Sequence, residues 1–166
     1  MYNYKVFKYK IKNKNEIINE WTSISDIGKI YNGKQFKYEE YIKTENSYIK
    51  VILMFIKLNN IKTITIDELE ISNNDKLIYD EYDIQIKVLI KKVKNKMKIK
   101  TSDIELFIRA ILREQIWAKL ASSDEFYIHF GYDYYMYIGS KAEPQKEIEQ
   151  IEKMGLVIEK QLSPYL

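Results

Sequence analysis

The stretch Phe126–Gly139, FYIHFGYDYYMYIG, holds five tyrosines (127, 132, 134, 135 and 137), the chain's one histidine, His129, and the acid Asp133. In an extended strand, successive side chains point to opposite faces. Tyr127, His129, Asp133, Tyr135 and Tyr137 then share one face, and Phe126, Ile128, Phe130, Met136 and Ile138 share the other. The second set reads as a core face. The first carries more rings than one strand face can bury, so some of them are expected to meet solvent or a partner. Gly131-Tyr132-Asp133 admits two readings, a tight turn into a third strand at 134–138 or a bulge in one long strand. Which of them holds decides which tyrosines are exposed.

Working outward, the residues before this stretch predict a helix over 103–115 with Ile104, Phe107, Ile108, Ile111 and Leu112 inward. Ser102 and Glu105 have the spacing of a capping box at its start. A strand at 116–121 and a turn at 122–125 lead into the hairpin. Beyond it, Pro144 suits the first turn of a helix running to Met154, Gly155 its C-terminal cap, and 156–159 a last strand. This α-β-β-(β)-α-β unit predicts an α+β fold, an antiparallel sheet with helices packed on one face, in a single domain over residues 1–166.

The first hundred residues add an opening strand, YNYKVFKYKI, with Phe7, Tyr9 and Ile11 on one face and Tyr4 and Val6 on the other. A short helix is predicted over 16–22, and Asn32-Gly33 marks a small hairpin or an irregular loop. A long helix over 38–58 follows from the spacing of Tyr41, Ile42, Glu45, Tyr48, Ile49, Ile52, Leu53 and Ile56. Next come a strand at 62–66, an acidic loop through Asp67, Glu68 and Glu70, and a helix over 80–93 with Ile84, Val88 and Ile90 or Val93 inward. The segment Ile84–Val88 also alternates as a strand would. Residues 94–100 read as a basic connector.

Composition bounds the function. The chain has 166 residues, 46% hydrophobic and 31% charged, a globular balance. With no cysteine and one histidine, disulfide frameworks, thiolate sites and multi-histidine metal sites are excluded. No secretory signal is legible at the start and the longest apolar run, 51–56, is far too short to span a bilayer, so a cytoplasmic protein is expected. The net charge of +3 conceals an asymmetry: residues 1–100 carry 20 lysines against 13 acids, and residues 101–166 carry 7 basic against 11 acidic residues. The tyrosine stretch lies in the acidic portion, and a polyanion would go to the basic one.

Candidate chemistry is sparse. On one strand His129 and Asp133 lie roughly 13 Å apart, too far to act as a pair, and no cysteine or G-x-S-x-G elbow supplies a nucleophile. The acids 67–70 and 80–83 lack the punctuation of a calcium loop, and no phosphate-binding loop is present. No catalytic residue, metal site or cofactor is assigned. The run KKVKNKMKIK at 91–100, extended to 87–100, is the best candidate for nucleic acid, though nearly without arginine. Arg109 and Arg113, four apart on one helix face, precede Trp117 and the tyrosines, and Arg, Trp and Tyr dominate binding hot spots. Pairing with acids such as Glu105 or Glu114 is the structural alternative for the two arginines. The expected partner surface is therefore Tyr127, His129, Tyr132, Asp133, Tyr135 and Tyr137, with Arg109, Arg113 and Trp117.

The run REQIWAKL, then FYIHFGYDYYMYIG, a helix, and GLVIEKQLSPYL, in a small cysteine-free chain, resembles the immunity proteins of bacterial toxin–immunity systems as a class. The resemblance implies a protein that binds a cognate toxin domain and blocks or masks its active site, with no enzymatic activity of its own. It transfers no individual residue. The overall positive charge departs from the acidic character common among inhibitors of basic nucleases, while the acidic 101–166 portion is able to steer a basic toxin.

Overall fold

The computed structural model describes residues 1–9, 19–73, 77–123, 125–132 and 134–166. Among them, seven strands form one antiparallel sheet: β1 (Tyr2–Phe7), β4 (Thr63–Ile71), β5 (Lys98–Lys100), β6 (Ile116–Ser123), β7 (Phe126–Phe130), β8 (Met136–Ser140) and β9 (Val157–Lys160). Their order is β5-β4-β6-β7-β8-β1-β9. β1 thus lies between β8 and β9, and β4 pairs with β6, so the basic and acidic portions interleave in one sheet. A separate ribbon, β2 (Ile30–Tyr31) and β3 (Lys34–Gln35), turns through Asn32 and Gly33, both at positive φ. That is the hairpin reading of Asn-Gly.

Four helices pack against the sheet: α1 (Tyr38–Leu58), α2 (Glu81–Ile90), α3 (Ile104–Leu112) and α4 (Gln145–Lys153). The register places Tyr4, Ile128, Ile138, Leu120 and Ile66 in one row across the sheet. All five are buried in one core with Ile52 and Phe55 of α1, Ile86 of α2, Phe107 and Ile108 of α3 and Ile151 of α4. α1 has the predicted bounds. α4 ends as predicted, with Gly155 at positive φ and its cap closed by bonds from Gly155 N to Glu152 O (2.9 Å) and Leu156 N to Ile151 O (3.3 Å).

Several local expectations are corrected. The acidic loop at 67–70 is part of β4, which shifts register between Asp67 and Glu70 around Glu68, at positive φ. The basic connector contains β5, a short edge strand whose exposed Lys98 and Lys100 flank buried Ile99, a composition that discourages edge-to-edge pairing. The Ser102–Glu105 capping box does not form: Asp103 is the N-cap, and Ser102 Oγ donates to Asp103 Oδ1 instead. The box forms at two other helix starts, by Ser23 with Asp26 and by Asp80 with Asp83. Residues 16–18 of the predicted helix over 16–22 lie outside the described residues, as does Ile11. Residues 19–22, which are described, are not helical.

The largest correction is the rotation of α2. Ile84 and Val88 face outward, 57% and 51% exposed, while Asp83 and Ile86 are buried. Asp83 is drawn inward by Arg113 (3.0 Å) and by Gln115, whose Nε2 donates to it at 3.2 Å. Breaking such a buried pair costs about 3–5 kcal/mol, comparable to what burying the two aliphatic chains at roughly 1.5–3 each would return, so the ion pair is strong enough to offset their exposure.

Candidate functional site

Gly131 opens a turn and not a bulge. Gly131 N donates to Tyr135 O (2.8 Å), Tyr135 N to Tyr132 O (3.2 Å), and Tyr134 adopts the left-handed region at φ 62°. Phe130 pairs with Met136 and His129 with Tyr137, so the connection has an odd length and the alternation survives it. Tyr127, His129 and Tyr137 share the face away from the helices, as their parity predicts.

That face is nevertheless covered, which corrects the expectation of an exposed tyrosine face. Residues 161–166 run back across it, starting from a bond of Gln161 N to Asn3 O (3.0 Å). Ser163 is buried with its Oγ 2.8 Å from His129 Nδ1, and the Tyr165 ring stands edge-on to Trp117, His129 and Tyr137. Tyr127 lies over Gly139, where an added Cβ would come 2.2 Å from its ring. It also stacks on His129 with centroids 4.5 Å apart and donates to Asn3 Oδ1 (2.8 Å). Burial, reinforced by the positive charge of Lys119, pulls the His129 pKa down to about 4. The ring is a neutral, packed member of the sheet, closed off by Tyr165.

The hot-spot arrangement expected of Arg109 and Arg113 is corrected as well. Both are buried, and they converge on Glu45 of α1, which is fully buried. Arg113 donates to Glu45 through Nε (2.9 Å) and Nη2 (3.1 Å), to Asp80 through Nη1 (2.8 Å) and Nη2 (3.1 Å), and to the Tyr38 hydroxyl (3.2 Å). Arg109 pairs with Glu45 and with Glu105 (2.7 Å), donates to Asn46 (2.9 Å), and lies over the Tyr82 ring. Burial raises the Asp80 carboxyl, but hydrogen bonds from Arg113 and Tyr38 outweigh it and hold the pKa at about 2. Glu105 is thus one partner, as the structural alternative supposed, but the main ones come from α1 and the start of α2. The cluster ties α1, α2 and α3 together and offers nothing to a ligand.

The remaining predicted residues meet at the hairpin tip. Trp117, Tyr132 and Tyr135 line a cavity of about 510 Å³, together with Tyr48 from α1, Ile111 from α3 and Glu114 just past its end, Glu70 at the end of β4, and Thr22, Ser23, Ser25 and Asp26. Tyr132 is 87% exposed. Tyr135 is half-buried, edge-on to Phe7 and Tyr9 and capped by the Lys5 ammonium 3.9 Å from its centroid. Trp117 is held by a bond from its Nε1 to Phe130 O (3.0 Å). Asp133 lies outside the described residues.

Among the described residues, the lining carries the carboxylates of Asp26, Glu70 and Glu114, and neither lysine nor arginine. Asp26 is committed to Lys29 (2.7 Å) and the Thr22 amide (2.7 Å). Glu70 is exposed and has no ion pair among the described residues. Two lining residues, Glu114 and Tyr134, sit at left-handed φ. Glu114 occupies the residue after the cap of α3, where Gln115 N bonds Ala110 O (2.9 Å), a place that glycine ordinarily takes. An L-residue there costs about 1–2 kcal/mol, and such strain clusters at binding sites.

Sequence reasoning missed Tyr134, Glu70, Glu114 and residues 22–26 as neighbours of the tip. Tyr134 is buried among Trp21, Tyr41 and Tyr48, and its carbonyl accepts from the Tyr48 hydroxyl (2.6 Å). The one available signal was the end of α3, where Glu114 precedes a strand with no glycine to make the turn. Compared with known protein families, characterised proteins and solved structures, the chain matches none.

Proposed function

We propose that this chain is an immunity-type protein that binds a cognate toxin domain at the tip of the β7–β8 hairpin and masks the toxin's active site. The observation that supports this reading is the exposed Tyr132 ring beside a cavity walled by Trp117 and Tyr135 and rimmed by Glu70 and Glu114. Tyr132 contributes little burial to its own fold, and large rings next to a preformed pocket are the side chains that carry binding energy between proteins. The carboxylates favour a basic side chain or loop of the partner. Aromatic faces and carboxylates together stabilise an ammonium or guanidinium by cation–π and charge-assisted contacts.

The proposed action is occlusion, without chemistry of the protein's own. His129, the residue with the most evident acid–base potential, is packed beneath Tyr165 and bonded to Ser163. The proposed binding surface is smaller than the tyrosine face predicted from alternation, being limited to the tip and its cavity. A cytoplasmic location follows from the same reading, since a toxin that acts inside the cell has to be met there.

The test is a growth rescue. A toxin-domain protein encoded beside this gene should arrest growth when expressed alone, and co-expression with this protein should restore it. Glu70→Lys, which reverses charge at the rim without touching the core, should abolish the rescue while the variant stays folded. Growth arrest unaffected by the wild-type protein would refute the proposal.

A further inference from the structure

The outward face of α2 is the part of the molecule that neither the core nor the hairpin tip uses. Ile84 and Val88, one turn apart, lie side by side on it. Helical spacing places Lys87 on one flank of that pair, and Lys91 and Lys92 follow in the turn that ends α2. All three lysines are exposed and have no ion pair among the described residues, as is Lys94 just beyond. Glu81, the outward acid, is in the first turn, so positive charge gathers at the C-terminal end. Met97, in the turn that follows, is 41% exposed.

We propose that this face docks on an anionic lipid surface, with Ile84 and Val88 entering the headgroup boundary and the lysines meeting lipid phosphates and carboxylates. The inference does not depend on the toxin reading, because it uses other residues on another element. Three observations favour lipid over other partners. The apolar residues point outward because the buried Asp83–Arg113 pair sets the rotation of α2, so the stripe is held in place by the core. The patch is aliphatic with lysine and lacks outward Trp, Tyr or Arg. Lysine is depleted in protein interfaces, whereas an aliphatic stripe beside lysines is what an interfacial helix presents to anionic membranes. A nucleic acid would use the lysines at 87–100 and leave Ile84 and Val88 in water.

The association would be peripheral. No helix among the described residues is long and apolar enough to cross a membrane. α2, ten residues and about 15 Å long, can lie flat in the boundary but cannot span it.

The experiment is flotation of the full chain with vesicles of phosphatidylcholine containing phosphatidylserine, against vesicles of phosphatidylcholine alone. The expected result is partitioning to the anionic vesicles only, weakened by salt. The triple variant Lys87→Glu, Lys91→Glu, Lys92→Glu should lower it by roughly a hundredfold, about a factor of five per lysine. The pair Ile84→Ser and Val88→Ser should lower it several-fold with an unchanged circular dichroism spectrum, since both side chains are exposed. No partitioning of the wild type would overturn the proposal. So would partitioning indifferent to the serine pair, and so would tighter retention of a single-stranded oligonucleotide than of vesicles, which would make the patch a general polyanion surface.

Discussion

Replacing Arg113 with Met would remove the guanidinium from a site where it is fully buried and leave Glu45, Asp80 and Asp83 without their shared partner. Glu45 keeps Arg109, but no cation other than Arg113 pairs with Asp80 or Asp83 among the described residues. Breaking a buried pair by deleting one partner costs about 3–5 kcal/mol, a large fraction of the roughly 5–15 kcal/mol that holds a domain together. With a urea m-value of about 2 kcal/mol per M, the unfolding midpoint should fall by roughly 1.5–2.5 M. Tryptophan fluorescence reads this directly through Trp21 in the core and Trp117 beside the hairpin. The control is Lys96→Ala, which breaks the exposed Lys96–Asp67 pair and should cost no more than about 1 kcal/mol. The pH dependence adds a sign test. Asp80 is held at about 2 in the folded protein, below its ordinary value near 3.9, so its contribution is present above that value and lost as pH falls toward 2. Without Arg113 that loss should vanish, and acidification should instead narrow the gap to wild type by neutralising the crowded carboxylates. A variant within about 1 kcal/mol of wild type at neutral pH would refute the claim that the cluster ties the helices together.

Other expectations follow from the covered tyrosine face. Gly139→Ala places a Cβ 2.2 Å from the Tyr127 ring and should destabilise by about 1–3 kcal/mol, measured by urea titration and relieved in part by Tyr127→Leu. His129 titrates near 4 when folded and near 6.5 when unfolded. Its contribution is therefore complete above pH 6.5 and lost as pH falls from 6.5 to 4, because the unfolded chain takes up the proton first. Up to about 3 kcal/mol of acid sensitivity should disappear in His129→Phe. Tyr137→Ala should cost about 3–5 kcal/mol, since the ring is 6% exposed, whereas Tyr132→Ala should leave the midpoint unchanged.

The sequence carried the parts of this fold that rest on short-range periodicity. The bounds of α1, the buried face of α3 and the parity of Tyr127, His129 and Tyr137 are all legible because each depends on neighbours within a few residues. What failed depends on pairings far apart in the chain. Ile84 and Val88 read as inward because nothing near them reveals that Arg113 claims Asp83, thirty residues earlier in sequence. The tyrosine face read as open because its cover, QLSPYL, contains little that marks it as a packing element, yet Ser163 and Tyr165 close it. Arg109 and Arg113 read as a surface pair because Glu45, their common acceptor, lies on a helix that is otherwise apolar inside. At the candidate site, Trp117, Tyr132 and Tyr135 were legible by residue type. Glu70, Glu114 and residues 22–26 were not, because the sheet order and two left-handed residues bring them there.

The central claim is that the hairpin tip is the binding surface for a toxin domain, and calorimetric titration of this protein with the toxin domain encoded beside its gene tests it most directly. The prediction is saturable binding by the wild type and, for Tyr132→Ala, a loss of about 2 kcal/mol or more, roughly thirtyfold in Kd, with an unaltered unfolding midpoint. An affinity indifferent to Tyr132 and Glu70, or no heat of binding for the wild type, would contradict it.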